Sequence, residues 1–123
     1  IEGVSFGILD GVNSILKVND NFDKVFMVGG GSRSSFWIEL IASLLERNLS
    51  VCDQSEYGAA LGVARLAMHV DKNIQDQNNI IKEIKISKEY TPQFDSIDLL
   101  KKRYKIWKDL YSANKMIASN LIS

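Results

Sequence analysis

The stretch VFMVGGGSRSSFW, residues 25–37, constrains the fold of this chain more than any other part of it. An apolar run rich in β-forming residues leads directly into three consecutive glycines, and apolar residues at helical spacing follow soon after. A strand that passes into a helix in this way predicts a strand–helix–strand unit with parallel strands. The turn itself does not require three glycines, so the sequence raises the question of what else they serve.

Hydrophobic periodicity along the rest of the chain predicts alternating helices and strands. The predicted helices cover residues 1–18, 34–47 and 55–70, with a long last helix that starts at Asp95 or Ser96. The predicted strands are 24–28, 49–52 and a short edge strand at 83–87, which follows a polar connection at 71–82 and is ended by Pro92. We therefore expect one α/β domain over residues 1–123, in which the first two strands are parallel neighbours and the glycines follow the first of them.

Two further patterns concern the helices. In the first helix, Gly3, Gly7 and Gly11 recur every four residues, and each costs about 0.5–1 kcal/mol relative to alanine. Close backbone packing against a neighbouring element would offset this cost, so we predict such packing. Ser34 is the predicted N-cap of the second helix, because its hydroxyl can accept an N–H of the first turn.

Gly29, Gly30 and Gly31 lie where a strand is predicted to end and a helix to begin. The unpaired N–H groups and the positive dipole end of a helix start form an anion site, and glycine lets a ligand approach the backbone closely. Serine hydroxyls at Ser32 and Ser35 would add polar contacts. The alternative is a tight turn without a ligand, and Arg33 is either a phosphate contact or a solvent-facing residue.

Two nucleotide-binding motifs can be compared with this loop. A P-loop is excluded, because GxxxxGK[ST] needs a lysine that the loop lacks. A dinucleotide fingerprint fits in part: Gly29-x-Gly31-x-x-Ser34 is similar to G-x-G-x-x-G/A, and Asp53 follows Gly31 by 22 residues. The third glycine is a serine, however, and a helix precedes the first strand. A Rossmann-type dinucleotide-binding module therefore stays open as the alternative.

Three motifs occur together in this order: Glu2-Gly3 near the start of a helix, VGGGSRSSFW at 28–37, and ExGAALGxAxLA at 56–67. Jointly they resemble the C-terminal domain of FGGY-type carbohydrate kinases, most closely the xylulose kinase branch, over residues 1–70. The resemblance implies part of a ribonuclease-H-like (actin-like ATPase) domain, with short parallel strands flanked by helices. It also implies that residues 1–123 are a C-terminal fragment of such a kinase.

The same resemblance implies a function, which is ATP-dependent phosphorylation of a sugar hydroxyl in the cytoplasm. The implied contacts to ATP or ADP are Gly29, Gly30, Gly31, Ser32 and Ser35. The catalytic aspartate, the phosphate-binding hairpins and the sugar-binding region of this family lie upstream, so no catalytic residue and no metal ligand is expected here. Mg would be bound mainly by residues outside the chain, and the sugar by the absent N-terminal region. We expect the 123 residues alone to be inactive.

Charge and composition exclude several other classes. Lys and Arg together equal Asp and Glu at 15 each, which argues against a nucleic-acid or membrane-surface partner. No apolar run approaches the roughly 20 residues that a membrane helix needs. The single Cys52 suits a reducing cytosol. The chain starts at Ile1 within a helical pattern, which indicates a piece of a larger protein, and a scaffold domain without a ligand stays open as a third class.

Packing roles are predicted for several aromatic and charged residues. Trp37 should anchor the second helix to the sheet, and Tyr104, Trp107 and Tyr111 should form an apolar stripe on the last helix. Glu56 should favour the dipole of the third helix. Strand 24–28 should have an unpaired edge, so we expect a homodimer or a larger assembly.

Overall fold

The computed structural model of the protein describes residues 1–18, 24–70 and 85–122. The helices are α1 (Glu2–Leu16), α2 (Ser35–Leu45), α3 (Gly58–Val70) and α4 (Phe94–Ile122), and the strands are β1 (Val25–Met27), β2 (Leu49–Cys52) and β3 (Ile86–Tyr90). A first 3-10 turn, Gly30–Arg33, lies between β1 and α2, and a second one, Ser55–Tyr57, lies between β2 and α3. The predicted order of elements is confirmed, and the connection predicted at 71–82 lies outside the described residues.

The three strands form one sheet in the order β1-β2-β3. β1 and β2 are parallel, with Val25 opposite Leu49, which confirms the predicted strand–helix–strand unit. β3 is antiparallel to β2 and places Tyr90 opposite Leu49. The predicted strand at 83–87 overlaps β3 at Ile86 and Ser87, and residues 83 and 84 lie outside the described part of the chain. The predicted end is wrong, because the strand continues to Tyr90, whose buried ring joins the core under α2.

The main core lies between α2 and one face of the sheet. Residues alternate between the two faces of a strand, so Val25 and Met27 of β1 point to this side together with Leu49 and Val51 of β2. The buried members of the core are Ile38, Ile41, Ala42, Leu49, Val51 and Tyr90. Phe26 and Cys52 point to the opposite face, where they line a cavity of about 820 Å³ beside α3.

A second apolar cluster joins α1, α2 and α4. Phe6, Leu44 and Leu100 are its buried residues, and the rings of Tyr104 and Trp107 stack at 6.1 Å beside Phe6. This confirms the predicted stripe for these two aromatic residues. Of the described helices, none is both long enough and apolar enough to cross a membrane.

The glycine stripe of α1 is packed closely only at its start. A Cβ added at Gly3 would lie 3.7 Å from Nε1 of Trp107, an ordinary contact distance. At Gly7 and Gly11 an added Cβ would have no described atom within 4 Å. The predicted close packing along the whole stripe is therefore not found in the described part of the chain.

Candidate functional site

The candidate site is the loop that connects β1 to α2, residues 29–33, which we call the glycine loop. Gly29 has φ 82° and ψ −171°, a backbone conformation that is essentially restricted to glycine. The 3-10 turn Gly30–Arg33 follows, and α2 then begins after Ser34. The Ser34 hydroxyl accepts the N–H of Trp37 at 3.3 Å, which confirms Ser34 as the predicted N-cap.

The three glycines differ in backbone conformation and in the packing around them. Gly29 supplies the backbone conformation, whereas Gly31 leaves room for packing: an added Cβ would lie 2.6 Å from Cζ3 of Trp37 and 2.9 Å from Cε of Met27. Gly30 is exposed, and an added Cβ there would have no described atom within 4 Å. A tight turn over a tryptophan thus accounts for Gly29 and Gly31, but it does not account for a glycine at position 30.

A ring of three hydrogen bonds joins the glycine loop to the second 3-10 turn, Ser55–Tyr57. The Gly29 N–H donates to the carbonyl of Ser55 at 2.8 Å, the Ser55 hydroxyl donates to Oγ of Ser32 at 2.8 Å, and the Ser32 hydroxyl donates to the Gly29 carbonyl at 2.7 Å. A hydroxyl has a single hydrogen to donate. The hydroxyl of Ser32 is therefore engaged within the loop in this arrangement.

An ion pair reinforces the same connection at the surface. The Arg33 guanidinium donates a hydrogen bond to Oε2 of Glu56. This bond is the main cause that lowers the pKa of Glu56, and a hydrogen bond from Tyr57 acts in the same direction. Sequence reasoning considered Arg33 and Glu56 separately and missed their contact. The predicted parallel strands could have indicated it, because the segments that follow two neighbouring parallel strands lie side by side.

The start of α2 contributes exposed groups next to the loop. Ser35 is exposed at the first helical position, and Phe36 beside it is 64% exposed. The N–H groups of a first helical turn have no partner inside the helix, so this end of α2 favours an anion. Below the loop, Trp37 packs against the core and its Nε1–H donates to Oγ of Ser5 at 2.8 Å. Trp37 thus anchors α2 as predicted and ties it to α1 as well.

The cavity beside α3 contains the residue on which the dinucleotide interpretation depends. Asp53 is exposed at this cavity just after β2, and its N–H donates to the carbonyl of Lys85 at 3.0 Å. Cys52 next to it is half-buried, and burial raises the pKa of its thiol above the usual value. In the described ranges, no group of three or more His, Cys, Asp and Glu side chains is arranged to hold a metal ion.

Comparison with known proteins gives consistent results. Residues 1–70 match the C-terminal domain of the FGGY family of carbohydrate kinases. Xylulose kinases of Staphylococcus epidermidis and Escherichia coli are 22% and 23% identical to the chain over 124 and 111 residues, which cover 100% and 90% of it. The crystal structure of a xylulose kinase from Brucella ovis matches 94% of the chain with a TM-score of 0.76 and 27% identity.

The chain is much shorter than these proteins. The matches cover 25% and 23% of the two bacterial relatives and 24% of the crystallised one, so the chain spans about a quarter of their length. All three are sugar kinases by name. The interpretation as a dinucleotide-binding module finds no support among them.

Proposed function

Because the chain belongs to the FGGY family of carbohydrate kinases, we propose that it forms one wall of the ATP site of an ATP-dependent sugar kinase similar to the xylulose kinases. Its fold is part of the ribonuclease-H-like, or actin-like ATPase, domain of those proteins. The complete kinase would act in the cytoplasm on a sugar of the kind its relatives are named for.

The observation that carries this proposal is the open side of Gly30. Neither the backbone nor the packing of the described residues requires a glycine there. A ligand that lies against the main chain does require one, because any side chain would stand between the ligand and the N–H groups. We assign Gly30 to the closest contact with the ribose and phosphates of ATP or ADP.

The other proposed contacts take different parts. Gly29 and Gly31 shape the loop, while Ser32 holds it through its bond to the Gly29 carbonyl rather than by donating to the nucleotide. Ser35, exposed at the start of α2, would contact the adenine side of the nucleotide. The helix start favours a negatively charged ligand by its dipole.

Phosphoryl transfer needs more than this wall. It depends on metal ions, on alignment of the γ-phosphate with the sugar hydroxyl and on a base that orients the nucleophile. The described residues contain no group suited to hold Mg, so we place the Mg contacts mainly in the part of the kinase outside these 123 residues. The sugar contacts and the base would lie there too.

A nucleotide titration tests the proposal. Addition of ADP to the 123-residue chain should shift the NMR amide signals of Gly30, Gly31 and Ser35, and Gly30→Val should abolish these shifts while the rest of the spectrum is kept. Gly7→Val is the matched control, because an added Cβ at position 7 also meets no described atom within 4 Å. Absence of a response to millimolar ADP, or an equal response in Gly30→Val, would contradict the proposal. Larger shifts with NADH around Asp53 would favour a dinucleotide site.

A further inference from the structure

The hydrogen bonds between the glycine loop and the second 3-10 turn involve the first residue of the loop and its last two residues. The Ser55 hydroxyl donates to Oγ of Ser32, next to the end of the loop. Gly29, its first residue, donates its N–H to the carbonyl of Ser55, and Arg33, its last residue, pairs with Glu56. Within the described part of the chain, no hydrogen bond joins Gly30 or Gly31, in the middle of the loop, to that turn. Ser55 and Glu56 are adjacent residues of the 3-10 turn that directly precedes α3.

We propose that Ser55 and Glu56 are positioning residues for the glycine loop: they hold it on both sides of Gly30 to the 3-10 turn before α3 and so fix where Gly30 presents its backbone. The inference rests on the proposed nucleotide site for its functional consequence. The positioning itself concerns the loop alone and can be measured without a ligand.

The hydrogen bonds within the loop do not by themselves fix its position relative to the rest of the protein. The Ser32 N–H donates to the Gly29 carbonyl at 3.0 Å and the Ser34 N–H donates to the Gly31 carbonyl at 3.1 Å. Both bonds join residues three apart in sequence, so they fix the shape of the turn but not its place beside β2. The bonds to Ser55 and Glu56 cross to a segment 23 or more residues away.

The two positioning residues should contribute unequally. Ser55 is 8% exposed, so its hydroxyl bond to Ser32 is shielded from water and costly to leave unmade. In the Arg33–Glu56 pair, the Arg33 side chain is 69% exposed and that of Glu56 is 29% exposed, so solvent screens the pair and it contributes little. We therefore expect removal of the Ser55 hydroxyl to affect the loop more than removal of the Glu56 charge.

The order of the loop in the free protein affects its affinity for a ligand, because a disordered loop loses conformational entropy when the ligand binds. A loop that is already ordered by Ser55 and Glu56 avoids part of that entropy loss and binds more tightly, although neither residue touches the ligand. Loss of either contact should weaken ADP binding without removing any group that contacts ADP.

The test compares Ser55→Ala, Glu56→Gln and the control Glu2→Gln in the 123-residue chain. Glu2 forms an ion pair of the same type with Arg103, far from the loop in sequence. Hydrogen exchange at the Gly29 amide should become about tenfold faster in Ser55→Ala and about twofold to fivefold faster in Glu56→Gln, the range that an exposed pair can account for. The dissociation constant for ADP should rise in parallel, and Glu2→Gln should change neither quantity.

A double variant in which the two charges are swapped is the decisive one. Arg33→Glu combined with Glu56→Arg should restore slow exchange at Gly29, which a purely local effect of position 56 would not do. Unchanged exchange and unchanged ADP affinity in folded Glu56→Gln and Ser55→Ala would overturn the inference. If Ser55→Ala does not fold, Glu56→Gln decides, since its side chain lies at the surface. If the unmodified chain does not bind ADP, the proposed function fails. Hydrogen exchange at the Gly29 amide still decides the positioning role in that case.

Discussion

The indole of Trp37 occupies the space that a side chain at Gly31 would need, since a Cβ there would lie 2.6 Å from Cζ3 of the ring. The same indole is held on its other side by the bond from Nε1 to Oγ of Ser5, a residue that is almost completely buried. The ring therefore cannot move away from the loop without breaking its contact with α1. Gly31 is fixed by packing, whatever ligand the loop binds.

Substitution of the two neighbouring glycines should separate packing from ligand contact. Gly31→Ala should lower the free energy of unfolding by about 1–3 kcal/mol, as overpacking does. Gly30→Ala should change it by no more than about 0.5 kcal/mol, because the added methyl group meets open space. Urea unfolding followed by circular dichroism measures both values. Similar losses in the two variants would show that Trp37 does not limit position 31.

Removal of the N-cap should destabilise α2. Ser34→Ala deletes the hydroxyl that accepts the Trp37 N–H, and such caps contribute about 1 kcal/mol. Ser35→Ala is the matched control, because Ser35 is the exposed first residue of the helix and not its cap. Thermal unfolding of both variants provides the comparison. A melting temperature for Ser34→Ala equal to that of the control would contradict the assignment of the cap.

The pKa of Glu56 should depend on Arg33. The hydrogen bond from Arg33, supported by Tyr57, holds the pKa of Glu56 below the usual value of a glutamate. Whatever stability the pair contributes is thus present above the ordinary pKa and is lost as the pH falls through the lowered one. In a carbon-detected NMR titration, Arg33→Gln should raise the Glu56 pKa and Arg103→Gln should not. An unchanged value in Arg33→Gln would contradict the ion pair.

The edge of β1 should favour self-association. β1 is an outer strand of the described sheet, so one row of its N–H and C=O groups lacks a strand partner there. We expect a dimer or a larger species by sedimentation at micromolar concentration, and Phe26→Lys in the middle of β1 should shift it toward monomer. Phe94→Lys, at a position 77% exposed on α4, is the control. A clean monomer of the unmodified chain would refute this expectation.

The chain alone should not phosphorylate a sugar. One edge of a nucleotide site cannot align the γ-phosphate with an acceptor hydroxyl, and the family's base and sugar contacts are not expected within these residues. A coupled assay of ADP formation with a panel of pentoses should give the same rate with and without sugar. Sugar-dependent ADP formation by the purified 123-residue chain would refute this prediction.

The sequence was sufficient to predict the parts of the fold that local patterns determine. Strand residues before the glycines, helical spacing after Ser34 and the crossover between them led to the parallel pair of β1 and β2. The start of α4 at Phe94 lies one or two residues before the predicted start at Asp95 or Ser96. In each case, a period or a cap residue within a short window carries the information.

Features that depend on contacts between distant segments could not be predicted in this way. Alternation predicted a strand at 83–87, but it did not indicate that the strand would continue to Tyr90, which is buried in the core with residues of α2. The Arg33–Glu56 pair required knowledge of which turns meet. The distinction among the three glycines required the position of Trp37, since three identical letters give no indication that only Gly31 is packed against a side chain.

Because Trp37 lies between Ser5 and the glycine loop, its intrinsic fluorescence provides a probe of the loop. The chain has two tryptophans, and Trp107 lies apart from the loop in the aromatic cluster of α1 and α4. With Trp107 replaced by phenylalanine, the remaining emission would come from an indole that contacts the underside of the loop and donates a hydrogen bond to a buried hydroxyl. The wavelength and intensity of the Trp37 emission would then change when the loop is displaced, so the displacement could be followed in real time without an attached dye.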